Sequence, residues 1–262
     1  MKPMRIGDLF GLDIDYINFL GELALRNREK ITHRYFDIGA LFWSLERLFT
    51  CYQRIVRVYN PVLSNICSND TTYLENDIEN YYIRHRILLN NIAFSTYQVI
   101  NLFDMNFMKP RGKSFGTNNE ISFFDLVKIL ENSSDEELKP FQEAYKKGAK
   151  LFYVMKDMRD NLIHFKAKAI VYKTPPPYQF SILQNEIGID SEPIHLRDVF
   201  TIFNDRTKEI LEWMDSSLLP ATDQYVKNNS LVTPITMQPS VLTAPGVFEF
   251  VRINQLLENS KN

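Results

Sequence analysis

The sequence predicts a mainly all-α fold, an antiparallel bundle of long helices with a small β-hairpin-like flap. Glycine is scarce, at 9 of 262 residues. Apolar residues recur at three- and four-residue steps over long segments, which is typical of amphipathic helices. The pattern changes to short β-type runs at about residues 167–185. A chain of this length fits one large domain or two small ones.

The first half of the chain predicts three helices followed by a loop. A short helix is expected over residues 13–27, and an amphipathic stripe predicts a longer one over residues 34–60, ended by Pro61. Residues 72–103 carry a seam of alternating four- and three-residue steps, which suits two long antiparallel helices packed at a shallow angle. Residues 106–119 contain glycine, proline and asparagine, and are expected to form a loop.

The second half predicts a short helix over residues 123–130 and a longer one that continues to about His164. The apolar stripe of the longer helix consists of Phe141, Tyr145, Gly148, Phe152 and Met155. The next position on that stripe is Arg159. Residues 151–155 are apolar all round, which predicts that this helix is the buried centre of the bundle.

After His164, β-type runs at residues 169–172 and 178–183 flank three prolines and predict the flap. A further helix is expected to end before Pro220. These patterns divide the chain into an N-terminal helical extension (1–33), a helical bundle (34–219) that contains the flap (about 167–185), and a Pro/Ser/Thr-rich tail (220–262).

Composition limits the function classes. The net charge of −2 excludes a globally basic nucleic-acid binder. Two cysteines are too few for a disulfide framework or a zinc site, and a reducing cytoplasm is the simplest setting. The N-terminus has no apolar h-region, and no run approaches 18 apolar residues. We therefore expect a cytoplasmic protein with no signal peptide, membrane span, metal or cofactor.

One hexapeptide carries the functional argument: Arg159-Asp160-Asn161-Leu162-Ile163-His164. A guanidinium can hold and neutralise phosphate oxygens, and an imidazole titrates near neutrality and can move a proton. Held over one phosphodiester, the two groups are enough to cleave RNA without a metal. The spacing recurs at Arg28 and His33, however, so spacing alone does not distinguish the two pairs.

Local charge does distinguish them. Residues 146–173 contain eight basic and two acidic residues, a net charge of +6 in a chain whose total is −2. Such a segment is what an anionic substrate needs. The surroundings of Arg28 and His33 include three acidic residues and have no positive bias.

The helical geometry makes a further demand. Asp160 and His164 are i, i+4 neighbours, so the carboxylate could hold the imidazole and raise its pKa. Arg159 and His164 lie roughly 140° apart on an ideal helix. They converge on one ligand only if the last turn distorts or the ligand lies past the helix end. In the purely structural alternative, Arg159 pairs with a carboxylate of another helix and His164 caps the helix.

The hexapeptide, late in a long helix of an all-α chain, resembles the signature of the HEPN superfamily. The likeness covers roughly residues 34–219, with this one specific motif. It implies a helical bundle that forms a homodimer, so that two motifs face a shared cleft. In catalytic members it implies metal-independent endoribonuclease activity, often in toxin–antitoxin or antiviral settings, where an antitoxin or regulatory protein is the partner. Arg159 and His164 would match the catalytic pair, and Asp160 the polar position that follows the arginine.

The resemblance leaves an alternative open, because some members of the superfamily are non-catalytic and bind a nucleotide, RNA or a partner protein. Further candidates for RNA or phosphate contacts are Lys156, Lys166, Lys168, Asn161 and His85. His85 lies on the apolar seam of the helix at 72–103, so a core histidine bonded to a neighbouring helix is the first interpretation. A second site histidine is the alternative.

Overall fold

The three- and four-residue periodicity of the sequence becomes a bundle of long helices in the structure. The computed structural model describes residues 15–26, 39–59, 72–103, 121–164, 167–172, 179–184 and 199–229. The helices are α1 (Asp15–Arg26), α2 (Gly39–Tyr59), α3 (Thr72–Phe103), α4 (Phe123–Glu131), α5 (Lys139–Ile163), α6 (Val199–Trp213) and α7 (Leu219–Asn228). The strands are β1 (Ala167–Tyr172) and β2 (Gln179–Gln184). The predicted mainly all-α fold is confirmed.

Helices α2 and α3 form the predicted antiparallel pair. Near the start of α2, the carbonyl of Ala40 accepts a hydrogen bond from Asn91 Nδ2 at 3.2 Å. Near its end, Arg54 Nε lies 3.0 Å from a carboxylate oxygen of Asp77. Residue numbers therefore rise along α2 as those of its contacts fall along α3, which defines an antiparallel arrangement.

The hydroxyl of Thr96, on α3, joins three helices in the core. It is bonded to Tyr145 Oη of α5 at 2.8 Å and to Tyr16 Oη of α1 at 3.1 Å. All three side chains are buried, so these hydrogen bonds satisfy hydroxyls that would be costly to bury alone. The described part of the predicted N-terminal extension, α1, thus packs into the same core as the bundle.

Helix α5 buries its predicted stripe but not its whole circumference. Phe152 and Met155 are both 1% exposed, whereas Tyr153 is 43% and Val154 37% exposed. The prediction that this helix is the buried centre of the bundle, drawn from the apolar run 151–155, was therefore wrong. The reason is that neighbouring helices cover one face of α5 and leave the other open to solvent.

Trp213, at the end of α6, fixes how that helix crosses α5. Its indole Nε1 donates to the carbonyl of Ala144 at 2.8 Å, and the ring lies against Gly148. A Cβ at Gly148 would stand only 2.5 Å from Trp213 Cε2 and Cζ2. The glycine on the predicted stripe is therefore a close-approach site for the indole.

The predicted flap is a two-stranded antiparallel hairpin, with Ala167 opposite Gln184 and Tyr172 opposite Gln179. It lies against α3, where a carboxylate oxygen of Glu79 accepts a hydrogen bond from the backbone N–H of Ala169 at 3.0 Å. Ala169 is fully buried. The hairpin is therefore anchored to the bundle.

The helix that was expected to end before Pro220 continues past it. A π-helical turn, Met214–Leu218, joins α6 to α7, and Pro220 occupies the first turn of α7. A proline has no N–H to donate, and the first turn of a helix is where that donor is not needed. Tyr225 and Val226 of α7 are buried in the core, so the predicted boundary at 220 was wrong. The tail beyond Asn229 lies outside the described residues.

The loop expected at 106–119 also lies outside the described residues. In the segments that are described, no helix combines the length and apolar character needed to cross a membrane.

Candidate functional site

The candidate site lies at the C-terminal end of α5. Phe152 and Met155 fix the rotation of this helix because they are buried against the core. The same rotation leaves Arg159 half-buried, with a side chain 39% exposed. The helix ends at Ile163, and His164 follows as its exposed C-cap residue. Both members of the predicted pair are therefore accessible to solvent.

The last turn of α5 is regular. The backbone N–H of His164 donates to the carbonyl of Asp160 at 3.1 Å, which is the ordinary i to i−4 bond of an α-helix. A distorted helix end, one of the two ways in which Arg159 and His164 could converge, is therefore not present. Their side chains leave the helix roughly 140° apart. Only a ligand past the helix end, or groups from a second chain, can bring an arginine and a histidine to one phosphate.

Asp160 binds basic neighbours rather than the imidazole. Its Oδ1 accepts a hydrogen bond from Arg159 Nη1 at 2.7 Å, and its Oδ2 lies 3.3 Å from Lys156 Nζ. Burial acts to raise the pKa of the Asp160 carboxyl, but the hydrogen bonds from Arg159 and Lys156 outweigh it and lower that pKa. The expected contact between Asp160 and His164 is not among the contacts of the described residues. Lys156 and Arg159 are cations within reach of this carboxylate, and hydrogen bonds between oppositely charged groups are among the strongest in proteins.

The imidazole of His164 has no hydrogen-bond partner among the described residues, although its backbone caps the helix. The structural alternative placed the counterion of Arg159 on another helix. The counterion is instead the adjacent residue, Asp160, on the same helix.

Arg86 of α3 is a further member of the site that the sequence did not reveal. Its guanidinium Cζ lies 3.9 Å from the centre of the Phe152 ring, and its Nη1 donates to Asn90 Oδ1. Burial lowers the pKa of Arg86 to about 10, while Asp160 acts to raise it and Arg159 to lower it. Arg86 is therefore close enough to sense both charges, and it remains a cation at neutral pH. The i, i+4 spacing of Arg86 and Asn90 can be seen in the sequence. That spacing does not show that Arg86 packs against α5.

The remaining candidates are scattered. Lys168, on β1, is exposed, and its Nζ lies 3.7 Å from Glu75 Oε2 of α3. Asn161 is half-buried on α5. Lys166 lies outside the described residues.

His85 lies in the core, as the first interpretation expected, but its hydrogen-bond partner belongs to its own helix, α3, and not to a neighbouring helix. Its side chain is 0% exposed, and its Nε2 lies 2.7 Å from Tyr81 Oη. The Tyr81 hydroxyl is bonded in turn to Thr207 of α6. A fully buried imidazole does not reach RNA, so in this conformation His85 cannot serve as an RNA contact.

Within the described segments, no group of three or more histidine, cysteine, aspartate or glutamate side chains is placed to hold a metal ion. Comparisons with protein-family models, with curated proteins and with solved structures find no match to this chain. The HEPN resemblance therefore depends on the motif and its surroundings alone.

Proposed function

We propose that the protein is an endoribonuclease of HEPN type that cleaves RNA with Arg159 and His164 at a homodimer cleft. The observation that supports this most is the accessibility of both side chains at one helix end, within a segment of net charge +6. His85, by contrast, is sealed in the core. The setting we propose is cytoplasmic, as a toxin or antiviral component held in check by an antitoxin or regulatory protein.

In the proposed reaction, the 2′-hydroxyl of a ribose attacks the adjacent phosphorus and the bond to the 5′-oxygen breaks. The products are a 2′,3′-cyclic phosphate and a free 5′-hydroxyl. Arg159 stabilises the negative charge that develops on the phosphorane oxygens. His164 acts as base toward the 2′-hydroxyl or as acid toward the departing oxygen. Because the nucleophile is the 2′-hydroxyl, cleavage is confined to RNA.

The proposed homodimer supplies the geometry that one chain lacks. The regular end of α5 directs the two side chains to different sides of the helix. A two-fold axis beside this helix end would place Arg159 of one subunit opposite His164 of a second copy. Each phosphate would then meet one arginine and one histidine across the interface.

Cleavage of single-stranded RNA by the purified protein in EDTA tests the proposal. We expect cyclic phosphate ends, and loss of cleavage in His164→Ala and in Arg159→Ala. Lys150→Ala is the matched control, because Lys150 is an exposed cation on the same helix and in the same positive segment. It should leave cleavage nearly unchanged. Undiminished cleavage by folded His164→Ala would refute the assignment.

One observation supports the alternative, a non-catalytic module that binds RNA, a nucleotide or a partner protein. Arg159 already donates a hydrogen bond to Asp160, and no carboxylate among the described residues orients His164. In that case the wild-type protein would bind single-stranded RNA without cutting it. Arg159→Ala would weaken binding, and His164→Ala would leave it unchanged.

A further inference from the structure

Among the described residues, Arg86 is a half-buried cation without a counterion of its own. Its guanidinium covers the ring of Phe152 at 3.9 Å and donates to the amide oxygen of Asn90. It forms no ion pair with any carboxylate in the part of the chain that the structure describes. A charge that is partly removed from water calls for compensation, and a neutral amide and an aromatic face supply only part of it.

Arg86 belongs to a group of charged residues at the end of α5, here called the cationic cluster, that also contains Lys156, Arg159 and Asp160. Phe152, the ring beneath Arg86, and Arg159 are seven residues apart on α5, close to two full turns, so they share one face of the helix. The charge of Asp160 acts to raise the pKa of Arg86 and that of Arg159 acts to lower it, which agrees with this placement. The two guanidiniums, which come from different helices, therefore lie along the same face of α5, about two turns apart.

The cluster carries more positive than negative charge. Its cations are Arg86, Lys156 and Arg159, and the carboxylate that contacts two of them is Asp160. Asp157 lies 3.9 Å from Lys156 but is 73% exposed, so water screens its contribution. A surplus cation beside a half-buried arginine that solvent still reaches is suited to binding a phosphate group.

We propose that Arg86 binds a phosphate of the RNA strand held by Arg159, as the second guanidinium of one anion site. This inference rests on the proposed function for its ligand class, RNA. In the free protein, Asp160 contacts Arg159 and Lys156 and offsets one of their two positive charges, and the bound phosphate competes with it. Arg86 fixes the position of the strand and takes no part in proton transfer.

Binding of a fluorescein-labelled single-stranded RNA, followed by anisotropy over a series of salt concentrations, tests this role. The His164→Ala protein serves as background so that the RNA stays intact. Adding Arg86→Gln should weaken binding about tenfold and reduce the slope of log K against log salt by about 0.7, the value for one lost phosphate contact on a single strand. Arg86→Lys keeps the charge and should keep the salt slope while losing affinity.

Arg84→Gln is the matched control, because it removes the same charge from the same helix. The charge of Arg84 acts to lower the pKa of the Cys51 thiol on α2, so Arg84 lies near α2. It should change affinity less than twofold. Asp160→Asn should strengthen binding several-fold by removing the competing carboxylate. Equal effects of Arg86→Gln and Arg84→Gln would overturn the assignment, and so would a salt slope in Arg86→Lys that falls as far as in Arg86→Gln.

Circular dichroism shows whether each variant is folded. Should Arg86→Gln not fold, the salt slope of Arg86→Lys and the affinity of Asp160→Asn decide the question. The two proposals also fail separately. Binding that depends on Arg86, in a wild-type protein that does not cleave RNA, would overturn the nuclease and leave the anion site. Cleavage with RNA binding unaffected by Arg86→Gln would overturn the role of Arg86 alone.

Discussion

The buried imidazole of His85 makes the stability of the fold depend on pH in a predictable direction. Its Nε2 is bonded to the Tyr81 hydroxyl, and its Nδ1 has no hydrogen-bond partner among the described residues. Burial, followed by the nearby charge of Arg206, lowers the pKa of His85 from 6.5 to about 3. Protonation would place a charge and an unpaired N–H in the core, so the folded state holds His85 neutral.

The magnitude follows from linkage. Between pH 6.5 and about 3, the unfolded chain binds a proton at His85 and the folded chain does not. The free energy of unfolding therefore falls as the pH falls, by about 1.4 kcal/mol per pH unit. Lowering the pH from 7.5 to 5 should cost about 2 kcal/mol through His85 alone. The stabilising effect of the neutral imidazole is fully present above the unfolded pKa.

Urea unfolding followed by circular dichroism at both pH values measures this contribution. The loss of stability between pH 7.5 and pH 5 should be about 2 kcal/mol smaller in His85→Gln than in the wild type. Carboxylates titrate alike in both proteins, so their effect cancels in the comparison. His164→Gln, which removes an exposed imidazole, serves as the matched control. Equal pH dependence in His85→Gln and the wild type would refute the buried, neutral histidine.

Two further predictions concern the packing of Gly148 and the anchoring of the hairpin. Gly148→Ala should destabilise the protein, because overpacking against Trp213 costs about 1–3 kcal/mol and outweighs the gain of about 1 kcal/mol in helix propensity. In a Trp213→Leu background the same change should stabilise; thermal unfolding that shows stabilisation with Trp213 present would contradict the close approach. Glu79→Ala should speed hydrogen exchange at the Ala169 amide, which loses its acceptor. Unchanged protection of that amide would argue against anchoring of the hairpin through Glu79.

The elements that the sequence predicted best are those determined by local periodicity. The bounds of α3, Thr72–Phe103, agree with the predicted 72–103 because its seam is unbroken over the whole length. The hairpin was predictable because two β-type runs on both sides of a proline-rich sequence have few alternatives. In both cases the signal lies within the segment itself.

The failures came from features that depend on neighbouring segments. Pro220 is a strong local signal for a helix end, yet a π-turn before it preserves the helical path and lets Tyr225 enter the core. The apolar run 151–155 indicated burial, but how many faces of α5 are covered depends on which helices pack there. Neither fact is contained in the local pattern.

In the candidate site, too, local features were predictable and contacts between segments were not. Chemistry and spacing made Arg159 and His164 the candidates, and both lie at an accessible helix end. The partner of Asp160 was mispredicted because i, i+4 spacing shows which residues can touch, but not which basic neighbour binds most strongly. Arg86 escaped notice because the periodicity of α3 does not show which flank of that helix meets α5.

Asp160 gives the site a property that the motif alone does not suggest. Its carboxylate contacts Lys156 and Arg159 in the free protein and so neutralises part of the cationic cluster. An acidic chain that carried three bare cations here would attract any polyanion. With Asp160 in place, an anion competes with an internal carboxylate for the guanidinium of Arg159. Under the proposed function, this competition lowers the affinity for single phosphates and favours a strand that engages Arg86 and Arg159 together.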